Sequence, residues 1–271
     1  MFNKISVAIA SGLMLALPSI TNAKDAMDVE IPENMYRSAV AIGYIEHALD
    51  DRTGKIEKQR RLLGTGVLIF DGRHNIVITA RHVILDKKFN LMPGLIFWSN
   101  KKDGKELIES FDPADYGRAE WKNIRWVQHG NADIAAIIVG IDRLQDDVYF
   151  VSMDDFMDVK DLKKGQTVYY LGYPRGLGAD SGSDPALRRG MISLKNSSDY
   201  FYIDATAAGG NSGGPVFRIV DSKPHFIGIV TDFPPSYASE QDFYYHTGVS
   251  RLYSTNQIRN LINSREFEAT R

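Results

Sequence analysis

Between Ser38 and Ser250 the chain falls into a long succession of short apolar runs separated by turn-forming residues, with few helical periods among them. Runs of roughly four to eight residues are too short for ordinary helices and read as strands. They cover Ser38 to Ile45, Gly64 to Phe70, Ile76 to Thr79, Leu95 to Trp98, Leu107 to Phe111, Ile124 to Val127 and Ile134 to Val139. After a polar connection from Asp146 to Lys164 they resume at Gln166 to Tyr173, Gly190 to Leu194, Tyr200 to Ile203, Val216 to Val220, Phe226 to Thr231 and Thr247 to Ser250. An Asp71-Gly72 pair between the second and third runs predicts a hairpin, and the charged stretch from Asp50 to Arg61 predicts an exposed loop. Only Thr255 to Ile262, with Ile258, Leu261 and Ile262 on one face, has the spacing of a short amphipathic helix. The expected class is all-β, and periodicity alone leaves barrels and a sandwich equally open.

Chemistry concentrates in three places. Gly209-Gly210-Asn211-Ser212-Gly213-Gly214-Pro215 sets one serine among glycines, where the backbone is free to approach a reacting carbonyl. A serine hydroxyl is a weak nucleophile and needs a histidine base, itself oriented by a carboxylate. Ile78-Thr79-Ala80-Arg81-His82-Val83-Ile84 supplies a histidine just past an apolar run, and Asn131-Ala132-Asp133-Ile134-Ala135 supplies an aspartate at the head of another. The order is His82, Asp133, Ser212, at spacings of 51 and then 79 residues.

These three segments resemble the trypsin-like (chymotrypsin-fold) serine proteases, with their T-A-x-H, D-I-A and G-N/D-S-G-G-P signatures. The resemblance runs from about Met35 to Leu252. It implies two antiparallel six-stranded-type β-barrels, about 35–150 and 160–252, a C-terminal helix at about 254–264, and a site in the cleft between the barrels. His82 would be general base and acid, Asp133 its orienting partner, Ser212 the nucleophile, and the N–H groups of Gly210 and Ser212 the oxyanion hole. Tyr170 to Leu177 and Ile203 to Ala205 are similar to the HtrA-type proteases, which usually carry a C-terminal PDZ domain. Nine residues follow Ile262, so a lone protease domain at 35–271 is expected.

In this family the residue six before the nucleophile lies at the base of the pocket for the side chain preceding the cut. Here it is Thr206, followed by Ala207 and Ala208, with no carboxylate to select Lys or Arg, so a small or medium apolar residue is expected. Thr231-Asp232-Phe233 occupies the segment that pairs with substrate backbone in relatives, although Asp232 and the following Pro234-Pro235 depart from the common pattern. Asn211 replaces the aspartate that in digestive relatives pairs with a newly cut N-terminus, and no second activation cut is expected.

A rival reading is available: Gly210 to Gly214 also satisfies G-x-S-x-G, the nucleophile elbow of α/β-hydrolases, and Asp232 or Asp242 with His246 would complete their order. The elbow leads from strand to helix, whereas Gly213 to Val220 reads as a turn into a strand. A binding protein on the trypsin-like fold, with its triad misaligned, is the other alternative to an exported serine endopeptidase.

Met1 to Ala23 reads as a signal peptide: Lys4, an apolar stretch from Ile5 to Leu17 that is short for a membrane span, and Thr21-Asn22-Ala23 before a cleavage point. A polar lead follows at 24–34. With no cysteine in 271 residues the exported chain relies on no disulfides, which fits a bacterial periplasmic or secreted protein. A net charge of −2 without basic runs gives no reason to expect nucleic acid as partner. His47, His74, His129, His225 and His246 lack a catalytic setting, and no histidine pair has metal-ligand spacing, so neither metal nor cofactor is expected. Protein or peptide substrates are the expected partners, without stable membrane association after signal cleavage.

Overall fold

In the computed structural model, residues 30–270 are described, apart from 51, 53, 102–105, 112–123, 142–147, 180–183, 233–234, 238–243 and 247. The expected signal peptide lies outside the described residues. After a one-turn helix α1 (Glu33–Tyr36), the first half builds one sheet from β1 (Ala39–Asp50), β2 (Lys55–Phe70), β3 (Asn75–Thr79), β4 (Leu95–Asn100), β5 (Glu106–Ser110), β6 (Val127–Gln128), β7 (Ala135–Ile138) and β8 (Val151–Ser152). Its strands run β5-β4-β1-β2-β3-β7-β6, with β8 added parallel to β2.

The second half is a closed six-stranded barrel, made of β9 (Thr167–Gly172), β10 (Ala186–Lys195), β11 (Tyr200–Asp204), β12 (Pro215–Val220), β13 (Lys223–Asp232) and, beyond a small hairpin of β14 (Pro235–Tyr237) and β15 (Tyr244–His246), β16 (Val249–Ser254). Strands β11 and β16 alternate buried and less buried residues, as a closed barrel requires of walls with one face inside and one face out. Val168, Tyr170, Ile192, Phe201, Ile203, Val216, Ile227, Val230 and Leu252 fill the interior. Helix α2 (Thr255–Ile262) matches the sequence reading, and Ile258, Leu261 and Ile262 bury their side chains in the larger core that β3 and β7 also build. A short α3 (Arg265–Glu268) follows.

Three segments depart from expectation. The stretch from Asp50 to Arg61 is no loop: β1 and β2 continue pairing to Asp50↔Lys55 as a two-stranded ribbon. Lys55, Glu57, Lys58 and Arg61 occupy exposed strand positions, and Leu49 pairs across from Ile56. The Ile124 to Val127 run is strand only at Val127–Gln128. Beyond Ser250 the expected last strand extends to Ser254.

Candidate active site

Strand register places the first two groups. β3 and β7 are antiparallel with Thr79 opposite Ala135, so His82, three residues past Thr79, and Asp133, two before Ala135, emerge at one end of the pair. His82 lies in a single 3₁₀ turn, Arg81–Ile84. Asp133 grips it twice, accepting the His82 backbone N–H at 3.0 Å through Oδ1 and lying 2.6 Å from the ring Nδ1 through Oδ2. An ionised carboxylate only accepts, so Nδ1 carries the proton and donates it, leaving Nε2 with its lone pair. Burial would raise the Asp133 pKa, but hydrogen bonds from the His82 ring and backbone, with the nearby charges of His82 and Arg81, outweigh it and hold the group below the usual carboxylate range. The imidazole is half-exposed, so its free nitrogen is open to a ligand.

Ser212 arrives from the closed barrel, in the turn that enters β12. Its carbonyl accepts the Thr65 N–H at 2.8 Å. A Cβ on Gly64 would stand 2.6 Å from Val83 Cγ2 and 2.9 Å from the Ser212 carbonyl oxygen, so β2 holds the serine backbone against the neighbour of His82. The Ser212 hydroxyl donates to the Thr231 carbonyl at 3.0 Å. Among the described residues it shares no hydrogen bond with His82. The structure therefore brings His82 and Asp133 into direct contact and leaves the serine hydroxyl turned to Thr231.

The Gly209 and Asn211 carbonyls of this turn are both held by backbone donors. The Arg175 N–H holds the Gly209 carbonyl at 2.7 Å, and the Gly214 N–H holds that of Asn211 at 2.9 Å. Because a trans peptide directs its N–H opposite to its C=O, the N–H groups of Gly210 and Ser212 point away from those contacts. Among the described residues neither has an acceptor. Gly210 has φ +96°, and a Cβ there would stand 2.1 Å from the Tyr173 carbonyl oxygen, so no other residue fits.

The sequence reading missed three residues that position this turn and the Asp133 loop. Thr65 is fully buried, and its hydroxyl donates to the Gly210 carbonyl at 2.6 Å and accepts the Tyr173 N–H at 3.3 Å. Arg175, in the left-handed region at φ 53°, supplies the N–H on Gly209. His129 is not idle: its ring Nδ1 accepts the N–H groups of Asn131 and Ala132 at 3.1 and 3.0 Å, ordering the loop that ends in Asp133. Burial first, and then the charge of Arg81, push the His129 pKa down, which keeps that nitrogen an acceptor. Only the glycines flanking Thr65 hinted at close approach.

Of the expected substrate contacts, the Thr206 carbonyl accepts the Tyr170 hydroxyl at 3.0 Å, and the Ala207 N–H donates to Ser250 Oγ at 3.0 Å. Thr231 is buried, its hydroxyl on the Arg251 carbonyl at 3.3 Å. Both oxygens of Asp232 are taken by Arg251, whose Nε lies 2.7 Å from Oδ1. Asn211 is fully buried, and neither end of its carboxamide has a hydrogen-bond partner among the described residues. No group of three or more potential metal ligands occurs among the described residues.

The family model of the trypsin-like peptidase domain matches residues 64–229, more than half of the chain, and the chain belongs to that serine peptidase family. Among solved structures it is similar to the HtrA-type protease AlgW with a decapeptide, at 15% identity and a TM-score of 0.54, covering 84% of this chain and 65% of that one. A second AlgW structure, of a variant with a decapeptide, is 16% identical with a TM-score of 0.50, covering 83% and 64%. At such identities the likeness is one of fold, and the chain spans just under two thirds of those structures' length. No curated protein matches the chain.

Proposed function

We propose that the protein is an exported serine endopeptidase that hydrolyses peptide bonds through an acyl-enzyme on Ser212. The observation that carries the reading is the 2.6 Å contact between His82 Nδ1 and Asp133, which fixes the base with its lone pair on Nε2. The Ser212 hydroxyl leaves Thr231 by rotating about its side-chain bond, exchanging one hydrogen bond of about 0.5–1.5 kcal/mol for another. Its proton passes to His82 Nε2 as Oγ attacks the substrate carbonyl carbon. The resulting oxyanion takes the N–H groups of Gly210 and Ser212, each worth roughly 3 kcal/mol if typical of such donors. The intermediate collapses, the C–N bond breaks, and His82 returns the proton to the departing amine. Water then gives a proton to His82 and attacks the ester, and Ser212 leaves with that proton.

Thr206 and Ala207, neither of which is acidic, suit a small or medium apolar side chain before the cut, and Thr231 and Asp232 would flank the substrate backbone. Peptides bound to AlgW support peptides as the substrate class. Met1 to Ala23 would direct export to the periplasm or beyond, ahead of a lead at 24–34 and a protease domain at 35–271. The reaction as written calls on no metal or cofactor.

The Ser212 contact with Thr231 favours a second reading, a latent or purely binding member of the fold. One experiment separates them: incubate the purified protein with unfolded protein and with peptides carrying Val, Ala or Leu before the cut, then measure fragments and intact mass after acid quench. Fragments, together with a protein mass raised by an acyl group and absent in Ser212→Ala, support the peptidase. Intact substrates with an unmodified protein support the binding reading.

A further inference from the structure

A cavity of about 550 Å³ opens beside the dyad, bounded by His82, Leu85 and Phe89 on one side and by Asp232, Arg251 and Tyr253 on the other. Phe89 stands out among its walls. The side chain is 85% exposed, and the backbone is in the left-handed region at φ 63°, where a bulky residue is strained. The loop nonetheless holds it firmly. Asp86 Oδ1 accepts the N–H groups of Lys88 and Asn90 at 2.8 and 2.9 Å, and the Phe89 N–H donates to the Asp86 carbonyl at 3.0 Å. Leu85 and Leu91 bridge the loop's base. A strained residue that contributes almost nothing to the core, kept in place by its neighbours at the mouth of a cavity, is what a ligand clamp looks like.

We propose that Phe89 determines specificity at this cavity, forming with Leu85 and Tyr253 a pocket for a neutral aromatic side chain of the substrate. The pocket borders His82 and, through Asp232, the segment proposed to flank the substrate backbone, and it is assigned to the second residue on the acyl side of the cut. That assignment rests on the peptidase reading. Charge selects for neutrality. Both oxygens of Asp232 are engaged by Arg251, and Asp133 is engaged by His82. The lining carries two guanidinium groups, Arg81 and Arg251, and two carboxylates, so a substrate charge of either sign meets repulsion as well as attraction, and the attracting groups Asp133, Asp232 and Arg251 are already paired. An aromatic ring stacks on Phe89 and Tyr253, and a phenol would reach the carboxamides of Gln128 or Asn131, which also line the cavity.

The test uses binding, so it does not depend on turnover. Full-length protein carrying Ser212→Ala is titrated with two fluorescent peptides identical except for Tyr or Ala immediately before the Val that precedes the cut. The Tyr peptide should bind about tenfold more tightly, as expected of a stacked, buried ring. Adding Phe89→Ala should erase the difference. Phe89→Gly should erase it too and raise the melting temperature, because glycine relieves the strain at φ 63°. Equal or undetectable binding of both peptides, or a full preference surviving Phe89→Ala, overturns the proposal. Selective binding with no cleavage by the wild-type protein would refute only the peptidase reading.

Discussion

Thr65 ties the nucleophile turn to the first sheet, and replacing its hydroxyl by a methyl group isolates that link. Thr65→Val preserves side-chain volume and opens no cavity. It removes the donor to the Gly210 carbonyl and the acceptor for the Tyr173 N–H. The carbonyl then loses its 2.6 Å partner in a part-buried setting, at about 1–3 kcal/mol, and the longer Tyr173 contact adds roughly 1 kcal/mol. The expected loss is therefore about 2–4 kcal/mol in denaturant unfolding. Gly210 also supplies one of the two N–H donors proposed for the oxyanion hole, so loosening it should slow labelling by a fluorophosphonate at least about tenfold, the equivalent of 1.4 kcal/mol. Thr65→Ser keeps the hydroxyl, should cost about 1 kcal/mol for the lost methyl, and should label at the wild-type rate. A Thr65→Val protein within about 0.5 kcal/mol of wild type and labelled at its rate would refute the assigned role, as would a Ser variant as impaired as the Val one.

Three further outcomes are expected. Asn211→Asp buries a carboxylate with no partner and should destabilise the fold by about 3–5 kcal/mol at neutral pH; burial raises that carboxyl's folded pKa, so unfolding curves should show the penalty shrinking as the pH is lowered. The depressed folded pKa of His129 means that its contribution is present above the ordinary histidine pKa and is lost as pH falls through the folded value. Stability measured from about pH 8 to 5, spanning the ordinary histidine pKa, should decline less steeply in His129→Ala than in wild type. Arg175→Gly keeps the N–H on Gly209 while relieving φ 53°, and should raise stability by about 1 kcal/mol with labelling unchanged; lower stability would contradict it.

What the sequence made legible follows from where the information is stored. His82, Asp133 and Ser212 stand out because few residue types can perform their chemistry and each sits in a tight local pattern. The amphipathic helix at Thr255–Ile262 is legible because its period is carried by its own side chains. Thr65 and Arg175 are not, since each acts through a hydrogen bond to a turn of distant sequence, and Thr65 reaches Gly210 across 145 residues. His129 is hidden for a related reason: it works as an acceptor for two backbone N–H groups, a role without a side-chain signature. The ribbon through Asp50 and Lys55 reads as a loop because its charged residues meet solvent and its pairing is purely cross-strand. The orientation of the Ser212 hydroxyl is a single torsion, which no residue pattern encodes.

Activation of Ser212 by His82 is tested most directly by fluorophosphonate labelling of the purified protein beside Ser212→Ala and His82→Ala. Stoichiometric labelling of the wild type, abolished in both variants, is the predicted result. A folded wild type that remains unlabelled, or a His82→Ala protein that labels as fast as wild type, would contradict it.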